Sequence, residues 1–167
     1  MILVGTFDRG IHDFVELKRL PSLADAKTLR AQESGAFTIR AHLTVTEPLR
    51  RRGAAPAGHF IDSPTVRRAW KRTCEVAAAL EATTIVLATP ASFRPVEDHI
   101  DQLIRFAQWA HRGGTQLAWA PRGAGWTNEV LWPLCRELSL THVTDPLVQE
   151  TARGRPPYFH VRGPLDS

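Results

Sequence analysis

With 167 residues, 43% of them hydrophobic and 23% charged, the chain has the length and composition of a single globular domain able to bury a core. Apolar runs such as Thr84–Ala88 and Val76–Leu80 are far too short to span a bilayer, and no basic start leads into an apolar export segment. The two cysteines, Cys74 and Cys135, lie far apart in apolar helical patterns and form no Cys-x-x-Cys pair, so they read as two buried thiols rather than zinc or iron–sulfur ligands. These features predict a cytoplasmic protein with no membrane partner and no cofactor.

In chain order, Ile2–Val4 reads as a first short strand stopped by Gly5, and the alternating stretch Phe14–Arg19 as a second. Ser22 followed by Asp25 has the form of a capping box and predicts a helix through Leu23, Ala26, Leu29 and Arg30, ended at Ser34-Gly35. Phe37–Val45, rich in β-branched residues, predicts a third strand. A long basic connection at 48–61 follows. Ser63-Pro64 then opens a helix whose apolar stripe is Val66, Trp70, Thr73, Cys74, Ala77 and Leu80.

Thr84–Ala88 reads as the fourth strand. The next helix has the stripe Val96, Ile100, Leu103, Ile104, Ala107 and Ala110, with Asp98 and Asp101 near its positive end, and is closed by Gly113-Gly114, one of them left-handed. Gln116–Ala120 is the fifth strand and runs into the glycine-rich loop around Arg122, with a new helix expected near Trp126. Pro133 sits where an interior amide would bond, so that helix is expected to start near Trp132 or to kink there. Leu140–Thr144 and Tyr158–Val161 are the sixth and seventh strands. About seven strands alternating with four or five helices imply a mostly parallel sheet with right-handed crossovers, in which the loops after the strands' carboxyl ends share one functional face.

Several of these segments resemble motifs of the YecE-like family, domain of unknown function seventy-two. Phe14–Ser22 (FVELKRLPS) is similar to the family's VEINSTFYRLPS, and Phe37–His42 to its FAVKAP-like strand. Leu87–Pro95 (LATPASFRP) is similar to FQLPPSFRP and Trp119–Trp126 to VEFRHPSW. Val143–Pro146 is similar to VDTP and Tyr158–Gly163 to YVRLHG. The resemblance covers most of the chain in the right order. It implies a single YecE-like domain over 1–167, folded as a reduced or incomplete (β/α) TIM-like barrel. A full eight-stranded barrel usually needs about 200 residues or more, so an open edge is expected, covered by a loop, a terminus, a second copy or a partner chain. Lys18 stands where the family has Asn, Ala88 where it has Gln, Ala120 where it has Glu and Arg40 where it has Lys, while His160 and Arg162 are exchanged.

The predicted strand ends collect Glu16, Lys18, Arg40, His42, Arg122, Asp145, His160 and Arg162. Such a set can pair internally as a buried network or form an anion-binding mouth. In the second case Arg40, Arg122, His160 and Arg162 hold a phosphate or carboxylate, and Glu16 or Asp145 acts as the base of a hydrolase-like enzyme. A metal held by Glu16, His42, Asp145 and His160 finds no support in the spacing. Trp126, in the mouth loop, is the candidate for stacking on a ligand. Ala88 and Ala120 favour the alternative of a non-catalytic binding or assembly subunit that has lost the family's polar residues.

The net charge of +4 is local. Between Glu47 and Arg72 the seven cations Arg50, Arg51, Arg52, Arg67, Arg68, Lys71 and Arg72 face only Glu47 and Asp62. Arg50, Arg51 and Arg52 with the basic helix face suggest weak nucleic-acid binding as a third reading, without any recognised nucleic-acid motif.

Overall fold

The computed structural model describes residues 5–6, 14–48, 56–123, 125–144 and 158–159. The strands are β1 (Gly5–Thr6), β2 (Phe14–Leu17), β3 (Ala36–Arg40), β4 (Thr84–Ala88), β5 (Gln116–Ala120), β6 (Thr141–Thr144) and β7 (Tyr158–Phe159). The helices are α1 (Leu23–Gln32), α2 (Leu43–Thr46), α3 (Pro64–Leu80), α4 (Glu97–Trp109) and α5 (Asn128–Glu137). Every strand pairs in parallel with its sequence neighbour, giving the order β1-β2-β3-β4-β5-β6-β7. The sheet proper is smaller than the seven strands expected. Five strands of four or five residues, β2 to β6, carry it, and β1 and β7 are two-residue pairings at its edges.

Register sorts the strand residues onto two faces. Parallel partners share a face, so Glu16, Thr38, Thr84 and Gln116 lie on one side, with Arg40, Val86, Ala118 and Thr141 in the next row. Val86, Ala118 and Val143 form a small cluster there, with Ala120 and Tyr158 against it. The opposite face carries the large side chains Phe37, Ile39, Ile85, Leu87, Leu117 and Trp119, buried in the main core shared with the helices. The sheet is strongly curled, with the small-residue face inward: the Tyr158 hydroxyl in β7 donates to Glu16 in β2 at 2.6 Å. Five strand spacings separate β2 from β7, about 24 Å in a flat sheet, beyond the combined reach of the two side chains. No β1–β7 pairing occurs among the described residues.

Local sequence chemistry accounts for the helix starts. The Ser22 hydroxyl accepts from the Asp25 amide and donates to its carboxylate, and the Ser63 hydroxyl accepts from the Val66 amide with Pro64 in the first turn. α5 begins at Asn128 rather than near Trp132. It carries Pro133 inside, where the Glu129 carbonyl one turn earlier has no amide to bond. Gly113 and Gly114 are both left-handed (φ 55° and 83°) but turn the chain after α4 has already ended at Trp109. The Val96 side chain is exposed at the cap of α4, and Phe106, outside the predicted stripe, is core. Cys135 is buried and Cys74 only half-buried, and neither is in a disulfide.

The third strand is shorter than the run Phe37–Val45 predicted. It ends at Arg40, and Leu43–Thr46 forms one helical turn, with the His42 Nδ1 accepting from the Thr44 amide. The reason is tertiary. The carbonyls of Thr44, Val45 and Thr46 accept from the amides of Gly58, Phe60 and His59, so these β-branched residues bond to a distant loop instead of a strand. Gly58 (φ 79°) makes that approach, and a Cβ there would overlap the Glu47 carbonyl. Gly58→Ala is therefore expected to destabilise the fold by about 2–3 kcal/mol, read as a lowered urea midpoint with an unchanged slope.

Candidate functional site

The concave face holds one charged network. Glu16, 4% exposed, accepts from Arg40 Nε at 3.0 Å and from the Tyr158 hydroxyl at 2.6 Å, while Arg40, the last residue of β3, keeps 21% of its side chain exposed. Burial, and then the Glu16 carboxylate beside it, push the Tyr158 hydroxyl far above the usual phenol range, so it stays a donor. Two of the predicted residues, Glu16 and Arg40, are thus brought together as an ion pair. Orphaning the more deeply buried member costs more. Arg40→Met is expected to lower stability by about 3–5 kcal/mol. Glu16→Gln is expected to cost about 1–3 kcal/mol, because the guanidinium can turn to water. Denaturant unfolding of the two variants checks the order.

Two cations that meet no carboxylate among the described residues lie in the loops that follow β4 and β5. These loops enclose a cleft of about 320 Å³ lined by Phe93, Arg94, Pro95, Arg122, Gly123 and Trp126, among others. Gly123 (φ 107°) and Gly125 let the second loop lie against the first, since a Cβ on Gly125 would press on the Pro95 ring at 3.1 Å. Trp126 Nε1 donates to the Phe93 carbonyl at 2.7 Å, and the Trp126 ring stacks on Phe93 (5.6 Å) and meets Trp119 edge-on (4.8 Å). Trp126 therefore lines the cleft as a buried wall, one of its faces covered by Phe93. Arg94 and Arg122 are exposed, and neither meets a carboxylate among the described residues. Arg94 was not among the predicted site residues. Its signal was its place in the family-like run Ser92-Phe93-Arg94-Pro95.

Also packed against the Phe93 ring is a polar group that sequence reasoning missed. His99 stacks on Phe93 at 4.8 Å, and the His99 Nδ1 lies 2.9 Å from the Arg94 amide. His59 meets His99 edge-on at 4.7 Å, with its Nε2 3.0 Å from the Ser92 hydroxyl. Ser92 and His59 are 33 residues apart, and no motif joins them.

No family model matches the sequence, and no curated protein matches it. Among solved structures, a DUF72 family protein of Thermotoga maritima superposes with a TM-score of 0.64 at 18% identity, over 93% of this chain and 62% of that one. A DUF72 family protein of Enterococcus faecalis superposes in two crystal structures at 12% identity. One has a TM-score of 0.66 over 93% of this chain and 68% of that one, the other 0.62 over 80% and 50%. The chain shares the fold of DUF72 family proteins. It spans less than two thirds of the Thermotoga protein's length.

The remaining predicted site residues, Asp145, His160, Arg162, Arg50, Arg51 and Arg52, lie outside the described residues. On α3, Arg67 is held by Asp62 at 2.6 Å and lies over the Trp109 ring at 4.6 Å, and Lys71 faces Glu75 at 3.9 Å. Among the described residues no three His, Cys, Asp or Glu side chains are grouped to hold a metal ion, and no helix is long and apolar enough to cross a membrane.

Three histidines are pushed below the ordinary imidazole value of 6.5. Burial does this at His142; at His42 burial is joined by the Arg72 charge, and at His59 by His99. The His142 Nδ1 is buried without a hydrogen-bond partner among the described residues. A ring kept neutral in the folded state while the unfolded chain takes up a proton contributes stability that is present above 6.5 and lost as pH falls below it. The thermal midpoint is therefore expected to drop between pH 7 and pH 5, with a shallower drop in His142→Leu.

Proposed function

We propose that this chain is a member of the DUF72 (YecE-like) family that binds a small anion in the cleft after β4 and β5. The observation that carries the reading is the pair Arg94 and Arg122. Both line the cleft at the carboxyl ends of adjacent central strands, and both lack a carboxylate partner among the described residues. The Phe93, Pro95 and Trp126 side chains add an apolar wall suited to the carbon skeleton of a phosphate ester or carboxylate. Arg40, by contrast, spends its Nε on Glu16.

The same reading takes residues 1–167 as one domain and the curled sheet as a reduced (β/α) barrel. The Tyr158–Glu16 bond across the concave face supports it. A second reading, a binding or assembly subunit without catalysis, draws on the concave face itself. There the charges of Glu16 and Arg40 are paired, and Ala88 and Ala120 end their strands without a polar group.

Calorimetric titration with inorganic phosphate and with succinate tests the anion site. Each of Arg94→Ala and Arg122→Ala is expected to weaken binding about tenfold or more, since a charge-assisted hydrogen bond is worth about 1.5–3 kcal/mol. Binding that neither substitution changes would remove the proposal.

A further inference from the structure

We propose that Ser92 and His59 form a nucleophile–base pair that hydrolyses short esters carrying an anionic group. Ser92 is exposed in the turn Pro90–Phe93, closed by the Phe93 amide on the Pro90 carbonyl at 3.0 Å, immediately beyond the carboxyl end of β4. A serine hydroxyl alone is a weak nucleophile, and an imidazole within hydrogen-bond reach makes it a strong one. The 3.0 Å separation of the Ser92 Oγ and the His59 Nε2 meets that requirement when the imidazole proton sits on Nδ1.

The placement of His59 is over-determined. His59 and Phe60 are both left-handed (φ 48° and 62°), a backbone state that non-glycine residues rarely adopt. It is held by the amides of His59 and Phe60 on the carbonyls of Thr46 and Val45, at 3.1 and 2.9 Å. The His59 ring then packs against Phe93 (5.4 Å) and His99 (4.7 Å), two aromatic walls that fix its plane. Burial and the neighbouring His99 lower the proton affinity of His59, so near neutral pH it is the free base, able to accept a proton.

The chemistry balances with water as the only co-reactant. The Ser92 oxygen bonds to the ester carbonyl carbon while its proton passes to the His59 Nε2. The carbon–oxygen bond to the alcohol breaks, and the imidazolium returns the proton to the departing alkoxide. Water then attacks the Ser92 ester, gives a proton to His59, and the acid leaves as that proton returns to the Ser92 oxygen. The anionic part of the substrate is assigned to Arg94, two residues beyond Ser92 in the same loop, and to Arg122. The preference for an anionic ester rests on the anion site proposed above, whereas the Ser92–His59 pair does not.

The test uses the full chain, a fluorophosphonate probe, and two chromogenic esters, p-nitrophenyl acetate and the mono-p-nitrophenyl ester of succinic acid. The expected result is covalent labelling mapped by mass spectrometry to Ser92, absent in Ser92→Ala. His59→Asn, chosen because asparagine tolerates a positive φ, is expected to slow labelling and ester turnover at least about a hundredfold with its thermal midpoint retained. The succinyl ester is expected to turn over faster than the acetate, with the preference lost in Arg94→Ala. Protein that binds phosphate but is not labelled, or turnover that survives Ser92→Ala, overturns the pair and leaves the anion site standing. Labelling at Ser92 with no preference between the two esters overturns the anion reading alone.

Discussion

A buried carboxylate with one donor from the neighbouring strand and one from a distant strand governs the shape of this molecule. Glu16 accepts from Arg40 one strand away and from Tyr158 five strands away, which is satisfied only if the sheet bends until its two ends approach. The penalty for leaving a carboxylate unpaired in an apolar interior is large, so a flatter arrangement is disfavoured by the cost of exposing or orphaning Glu16. The remaining inward positions are consistent with that constraint. Val86, Ala118, Ala120 and Val143 are small enough for a tightly curled face to close over them.

The curl separates two kinds of polarity. Inside, charge cancels within the Glu16–Arg40 pair and Tyr158 caps it, so the interior works as a structural lock. Outside, in the loops at the strand ends, Phe93 is the common contact. Its ring is stacked with both Trp126 and His99. The cleft with Arg94 and Arg122 is lined by Trp126, and the Ser92–His59 contact lies beside His99. One aromatic side chain thereby packs between the Arg94–Arg122 cleft and the Ser92–His59 contact, on loops that follow the central strands β4 and β5.

Local signals carried most of the fold. β4 and β5 coincide with their apolar runs, and α1 and α3 start at the serine caps that the sequence displays. Local signals failed where a distant partner decides. The β-branched stretch Thr44–Thr46 has strand propensity, yet its carbonyls are claimed by residues 58–60 and it turns into a helix. Pro133 argues for a helix start or a kink, yet α5 passes through it, with Leu131, Leu134 and Cys135 buried on either side of the missing bond. At the site, Glu16, Arg40 and Arg122 could be singled out as strand-end residues and Trp126 as a mouth-loop residue, but their contacts could not. Arg40 and Glu16 are one residue type each until the register places them diagonally on the same sheet face.

The amino-acid sequence by itself determined which stretches alternate, which serines cap helices and which strand face carries large apolar side chains, because these are properties of neighbours within a few residues. Only the tertiary structure decided that Glu16 and Tyr158 touch, that Arg94 rather than Arg40 shares a cleft with Arg122, and that His59 reaches Ser92. Each of those contacts is fixed by sheet curvature and loop packing, which sum over many residues and leave no spacing rule along the chain.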